Sequence, residues 1–277
     1  MEIPSSVLDT IRRALEEDLG AGDITTSLLI SEEDESKAIY VAKGNFILAG
    51  FPFAREVFRI IDSSIEWRLL FPEGSTVSNG EILAEISGKT RAILAGERVS
   101  LNILQRLSGI ATLTDMYVER IKGSKAKIID TRKTTPCLRF MEKYAVRAGG
   151  GSNHRFGLFD GILIKDNHLK ATGSIEEAVK RARAGHHLVK IEVEVESLDE
   201  LREAIGSGAD IVMLDNMPVD AIREAVDIAN GRVILEASGG INLGNVRDVA
   251  ETGVDLISVG ALTHSAQSVD ISLKIVN

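Results

Sequence analysis

From Lys125 to Gly260 the chain repeats one pattern: a short apolar run, a polar tip, then a helical stretch. The apolar runs are KAKII up to Asp130, GILI up to Lys165, LVKIEVEV, ADIVML up to Asp215, RVILE up to Glu236 and DLISV up to Gly260. Between them lie SIEEAVKRAR, SLDELREAI, VDAIREAVDIA and LGNVRDVAE, whose apolar residues recur at helical spacing. Strands joined by crossover helices pair in parallel, so a β/α barrel or a doubly wound sheet is implied. No GxGxxG follows the first run, and the last two runs end in SGG and SVGA, as barrel phosphate sites do. The expected fold is α/β, with the repeat forming a β/α barrel, complete or incomplete.

The N-terminal part reads differently. Val7, Leu8, Ile11, Ala14 and Leu15 follow Ser5 and Ser6 at helical spacing and stop at Gly20, which predicts an amphipathic helix with a serine cap. Lys37 to Lys43, Ile65 to Phe71 and Glu81 to Ile86 read as strands between turn signals such as PEG and SNG. From Thr90 to Ile121 the helical period returns, as a bridge into the repeated part of the chain. The expected organisation is an N-terminal α+β domain over 1–108, with 265–277 as a candidate return to it, and a barrel domain over 109–264.

A chain of 277 residues with 44% hydrophobic and 26% charged residues can bury a sizeable core. It contains no apolar run of the roughly 18 residues a membrane span needs, and its first residues lack a signal-peptide layout. The single cysteine, Cys137, excludes an intrachain disulfide and fits a reducing compartment, so a cytoplasmic protein is expected. A net charge of -9 argues against nucleic acid as a partner.

Against that acidic background, Thr131 to Arg155 holds six bases (Arg132, Lys133, Arg139, Lys143, Arg147 and Arg155) and one acid, Glu142. Such clustering focuses positive potential, and the planar Arg fork suits carboxylate and phosphate oxygens, so a small, multiply charged anion is the expected guest. In a barrel the strand tips converge on one face. Here they offer Arg132 and Lys133, then Lys165, Asp166, Asn167 and His168, then Glu194, then Asp215 and Asn216, then Glu236 with Ser238-Gly239-Gly240, then Ser258 and Gly260. Arg132, Lys133, His154, Arg155 and Lys165 form a cationic half fit for a dicarboxylate. Glu194 and Asp215 form an acidic half that could hold Mg²⁺ with its waters or accept hydrogen bonds from sugar hydroxyls. The two glycine-bearing tips can present backbone N–H groups to a phosphate.

Nine motifs run in order along nearly the whole chain: EDLGAGDITT, ERVSLNILQRLSGIAT, DTRKTTP, GGGSNHR, LIKDNH, IEVEV, MLDN, EASGGI and ISVGALTH. Together they resemble the quinolinate phosphoribosyltransferases, the decarboxylating nicotinate-nucleotide pyrophosphorylases of NAD biosynthesis. The resemblance implies a type II phosphoribosyltransferase-like barrel, quinolinate and phosphoribosyl pyrophosphate as substrates, Mg²⁺ as cofactor, and a homodimer or higher oligomer with a shared site. It places Arg98, Arg132, Lys133, His154, Arg155 and Lys165 around quinolinate, with Thr131 as a further substrate-binding residue and Glu194 and Asp215 facing the ribose and the metal–pyrophosphate. Ser238, Gly239 and Gly240, with Ser258, Val259 and Gly260, become phosphate loops. Lys133, Lys165, Glu194 and Asp215 are the expected catalytic set, and Glu194 and Asp215 the expected metal-side acids, directly or through water. Arg98 lies outside the barrel tips, and the family has a neighbouring subunit donate it.

Cys137 departs from that pattern, where glycine is expected, and has no evident base partner to make it a nucleophile. His186 and His187 read as surface groups or C-terminal helix caps, whereas His168 and Arg139 are open between ligand contact and support of a neighbour. Three rivals stay open. The paralogue found with molybdate-transport genes shares SGIAT, TRK and HR but is expected to depart from LIKDNH, which is intact here. A barrel aldolase using Lys165 as a Schiff base is the second, and a catalytically silent phosphate-ligand sensor the third.

Overall fold

The structure, a computed structural model, describes residues 2–276. The chain divides into two compact units, one of Met1–Asp115, Thr134–Gly150 and Thr263–Asn277, the other of Met116–Lys133 and Gly151–Leu262.

The first unit opens with α1 (Ser5–Leu19), which buries Val7, Ile11 and Leu15 along one stripe. The expected serine cap is not made. Pro4 is the N-cap and its carbonyl accepts from Val7 N–H at 3.0 Å, so both serines lie inside the first turn. Gly20 ends the helix at φ 49°. After α2 (Ile24–Leu29) come β1 (Glu35–Ala42), β2 (Phe46–Ile47), α3 (Phe51–Ile61), β3 (Glu66–Leu69), β4 (Thr76–Val77) and β5 (Ile82–Lys89). Tyr40 stacks on Trp67 with ring centroids 5.6 Å apart, and Phe51 and Phe58 meet Trp67 edge-on. Burying such rings contributes hydrophobic energy, with about 0.5–1.5 kcal/mol more per aromatic pair. The long helix α4 (Thr90–Arg120) runs from this unit into the next.

The second unit carries β6 (Lys127–Ile129), whereas the segment Thr134–Gly150 beyond it, with α5 (Arg139–Ala148), belongs to the first unit. Then come β7 (Ile162–Ile164), α6 (Asp166–Thr172), α7 (Ile175–Gly185), β8 (Ile191–Val195), α8 (Leu198–Gly206), β9 (Ile211–Asp215), α9 (Val219–Ala229), β10 (Ile234–Ser238), α10 (Val246–Glu251), β11 (Leu256–Ser258) and α11 (Ala261–His264). Ser174 and Ser197 cap α7 and α8 by accepting from Glu177 N–H and Glu200 N–H.

All ladders of this sheet are parallel, and the strand order is β6-β11-β10-β9-β8-β7. Hydrogen bonding thus follows chain order from β7 to β11 and then reaches β6, the strand that precedes β7. That circular order belongs to a barrel, whereas a doubly wound sheet reverses direction partway. Among the described residues no ladder joins β6 to β7; Ser152 bridges to Ile129 instead. The barrel is therefore incomplete. Strand β8 shows the consequence for side chains: Ile191, Val193 and Val195 share one face, and Glu192 and Glu194 share the other.

The last strand, β12 (Ile271–Val276), belongs to the first unit, where it pairs antiparallel with β1 in a four-stranded sheet of order β12-β1-β5-β3.

Candidate active site

A cavity of about 420 Å³ lies at the C-terminal ends of the barrel strands. It brings together Thr131, Arg132, Lys133, His154, Arg155, Lys165, Glu194, Asp215, Ser238, Gly239, Gly240 and Ser258 of the expected site. A larger groove, of about 820 Å³, lies between α7 and α8, but it is lined by helix-surface residues with no convergence of strand tips.

Each tip is held by local chemistry. Asp130, fully buried at the end of β6, accepts from Asn153 Nδ2 at 2.6 Å and from His154 N–H at 2.8 Å, which fixes the Asn-His-Arg loop. Thr131 Oγ1 accepts from Lys133 N–H at 3.0 Å, turning the chain after Arg132. Arg155 Nη1 donates to Gly161 O at 2.9 Å. Burial, and then the like charge of Arg132, pull the Arg155 guanidinium below its ordinary value. A pair of neighbouring arginines in a partly dry cavity is relieved by an anion between them.

Lys165 Nζ donates to Glu194 Oε2 at 2.5 Å, so one ion pair joins the cationic half to the acidic half. His168 does not line the cavity. Its Nδ1 accepts from Lys165 N–H at 2.9 Å, which makes it a support for the Lys165 turn. Arg139 donates to Thr134 Oγ1 at 3.0 Å and is likewise absent from the lining. Asp215 accepts from Asn216 Nδ2 at 2.7 Å, and Asn216 adopts φ 55°.

The glycine tip after β10 has a steric origin. A Cβ on Gly239 would lie 2.2 Å from Asn216 Oδ1, and its φ of 86° is one that L side chains rarely adopt. Gly240, at φ 63°, has open space where a Cβ would sit. The β11 tip brings only Ser258 to the cavity. Val259 is 1% exposed and its N–H donates to Ile129 O at 3.0 Å, so that amide is spent on the barrel, and Gly260 is not in the lining. Arg98 is exposed on α4, in the first unit.

The acids suit Mg²⁺ only in one mode. Among the described residues, Glu194 and Asp215 form no cluster of three ligating side chains. Mg²⁺ keeps most of its waters and is often held by one or two carboxylates plus substrate phosphates. Two carboxylates at the cavity fit a metal that arrives on a pyrophosphate.

The one such cluster among the described residues is His154, Glu192 and Glu236, with candidate ligand atoms within 4.8 Å of one another, and two of its members, His154 and Glu236, line this cavity. The strand-tip pattern does not single out Glu192, and it marks Glu236 only as one tip among six. The alternation IEVEV holds the missing signal, since it sets Glu192 on the same face as Glu194.

Comparison with known proteins places this arrangement. The family model for the N-terminal domain of quinolinate phosphoribosyl transferase matches residues 23–108, and that for the C-terminal domain matches 110–274. The probable nicotinate-nucleotide pyrophosphorylase [carboxylating] of Bacillus subtilis (strain 168) is 50% identical over 260 residues, covering 94% of this chain and 90% of that protein. The nicotinate-nucleotide pyrophosphorylase [carboxylating] of Mycobacterium leprae (strain TN) is 42% identical, covering 96% of each. Among solved structures, the nicotinate-nucleotide pyrophosphorylase of Francisella tularensis superposes with a TM-score of 0.94 at 43% identity, covering 99% of this chain and 98% of that one. With both domain models matched in order and relatives aligned nearly from end to end, the chain belongs to the quinolinate phosphoribosyltransferase family.

Proposed function

We propose that the chain transfers the phosphoribosyl group of phosphoribosyl pyrophosphate to the ring nitrogen of quinolinate, releasing pyrophosphate and CO₂ and giving nicotinate mononucleotide. The observation that carries this reading is the sorting of charge within one cavity. Arg132, Lys133, Arg155 and Lys165 supply cations for two carboxylates, while Glu194, Asp215 and the Ser238–Gly240 tip face a sugar phosphate. Glu194 and Asp215 stabilise positive charge growing on the ribose as the pyrophosphate departs. Mg²⁺, when bound with the donor, neutralises charge on the leaving pyrophosphate. Holding both anions in place and away from water supplies much of the catalysis, and no covalent nucleophile is required. Once the nitrogen is quaternised, it stabilises the electron pair left at C2 by decarboxylation.

The aldolase reading is weaker, because Lys165 Nζ forms an ion pair with the Glu194 carboxylate, whereas a Schiff base needs a neutral amine. The direct test is to supply quinolinate, phosphoribosyl pyrophosphate and Mg²⁺ and to measure nicotinate mononucleotide; binding without product would favour the sensor. The reaction is placed in the cytoplasm, in keeping with a lone thiol; no helix among the described residues is long and apolar enough to cross a membrane.

A homodimer with shared sites is part of the proposal; what supports it is the family resemblance, in which a neighbouring subunit donates the residue at the position of Arg98. Arg98→Ala and Lys165→Ala should each be nearly inactive. Remixed after unfolding, they should recover about a quarter of wild-type activity, because half the dimers are mixed and each carries one intact site. No recovery despite confirmed subunit exchange would contradict sharing.

A further inference from the structure

The reaction just proposed gives Glu236 no task, yet this residue lies where two cavities meet. A second cavity, of about 570 Å³, opens at the other end of the barrel strands, where Lys127, Ile162, Lys190, Ile211 and Leu256 line it. His154, Arg155 and Glu236 line both this basal cavity and the substrate cavity.

The chemistry between the cavities is specific. His154 Nε2 lies 3.0 Å from Glu192 Oε2 and 3.6 Å from Glu236 Oε2. His154 Nδ1 accepts from Arg155 N–H at 2.7 Å, so the ring proton sits on Nε2 and is donated to Glu192. A nitrogen that carries a proton is not a metal ligand, which removes the metal reading of this cluster. Glu192 is thus the carboxylate that His154 engages. Glu192 and Glu236 are 4% and 1% exposed, and the Oε1 atom of each has no hydrogen-bond partner. Two adjacent buried carboxylates do not both ionise. Burial, followed by the charge of Glu192, pushes the Glu236 carboxyl well above the ordinary carboxylate range; the Ser258 hydroxyl and the Lys165 ammonium act in the opposite direction. The two neighbours in register, Met213 of β9 and Leu256 of β11, are apolar.

Decarboxylation needs a proton donor for C2, and Glu236 lines the cavity proposed to hold the substrate. The bond from C2 to its carboxylate breaks, CO₂ leaves without the bonding pair, and the pair stays on C2. Formation of the C2–H bond then takes one proton, with nothing oxidised or reduced. With two substrates filling the upper cavity, a carbanion that waits beside CO₂ re-forms the bond it lost. We propose that Glu236 is the catalytic acid that protonates C2 and that it regains its proton from water in the basal cavity. Glu192 and His154 are positioning residues in this scheme: they keep the proton on Glu236 between turnovers. The role rests on the reaction proposed above.

The test compares the wild type with Glu236→Gln and Glu192→Gln, measuring nicotinate mononucleotide formation against pH and quinolinate binding by calorimetry. Glu236→Gln should lower kcat at least tenfold, leave the quinolinate Kd within threefold, and abolish the fall in kcat that the wild type shows as pH rises. Glu192→Gln should move that fall to lower pH, a shift that a merely structural role would not produce. A Glu236→Gln variant with kcat within twofold of the wild type, or one that keeps the alkaline fall, would overturn the role while leaving the reaction standing. If that variant does not fold, an unmoved alkaline fall in Glu192→Gln overturns it. No product from the wild type would overturn the reaction and the role together.

Discussion

Glu142 and Glu236 are both carboxylates with at most 1% of their surface exposed, yet their surroundings are opposite. Glu142, in the first unit, accepts from Arg106 Nη2 at 2.8 Å and Nε at 3.2 Å, and from Thr135 N–H at 3.0 Å and Oγ1 at 2.8 Å. Glu73, in the same unit, takes Gly50 N–H, Phe51 N–H and the Tyr144 hydroxyl. Glu236, in the second unit, has an Oε1 with no hydrogen-bond partner and a second glutamate as neighbour. Burial alone therefore does not separate a structural acid from a working one. Saturation does: a carboxylate with its acceptor capacity filled holds a fold together, and one left open at a cavity is available for chemistry.

The largest expected effect lies among the cations that line the substrate cavity. Arg132→Ala should weaken quinolinate binding about 100-fold or more, on the order of 3 kcal/mol, since it leaves a substrate carboxylate unpaired in a partly dry site. Asp215→Asn should still bind quinolinate and lose use of the ribosyl donor. Calorimetry that found quinolinate binding lost in Asp215→Asn and kept in Arg132→Ala would contradict the division of the cavity.

Next in size is a direct contest between the two buried acids, read by chemical denaturation. Glu142→Gln should destabilise the protein by about 2–4 kcal/mol, because Arg106 loses its charged partner. Glu236→Gln should cost less than about 1 kcal/mol at pH values below the ordinary carboxylate range, where an amide replaces a neutral carboxyl. The sign with pH follows from the raised carboxyl of Glu236. Its contribution to stability is fully present below the ordinary carboxylate range and is lost as pH rises through the raised value. The Gln variant should therefore gain on the wild type as pH increases. Equal destabilisation by the two substitutions, with no pH trend, would erase the distinction.

The smallest effect concerns a backbone strain in the first unit. Cys137 sits at φ 65°, a left-handed conformation that favours glycine. Cys137→Gly should raise stability by roughly 0.5 kcal/mol, the relief of strain being partly offset by the greater flexibility of the unfolded glycine. A loss of stability in thermal unfolding would show that the thiol packs productively where it stands.

Much of this architecture is legible in the sequence, for reasons that differ by element. The barrel is legible because its strands end in polar tips that must share a face, and the cavity does gather the tips from Arg132 to Ser258. The open seam between β6 and β7 is not, because both strands are three residues long and the bridge at Ser152 depends on a partner distant in sequence. The N-cap of α1 falls to Pro4 because the backbone, and not the nearest serine, sets the first turn. Val259 looks like part of a phosphate loop, and only the hydrogen bond to Ile129 shows its amide to be taken. Glu192 is not marked by the strand tips because it lies in mid-strand, although the period of two sets it on the same face as Glu194.

The measurement that tests the functional reading most directly is kcat/KM for quinolinate against nicotinate, each with phosphoribosyl pyrophosphate and Mg²⁺. The cavity sets Arg132, Lys133, Arg155 and Lys165 around its guest, more cations than one carboxylate can satisfy. Nicotinate, lacking the 2-carboxylate, leaves part of that charge unpaired, and the account predicts a preference for quinolinate of about 100-fold or more. Comparable values for the two acids would contradict it.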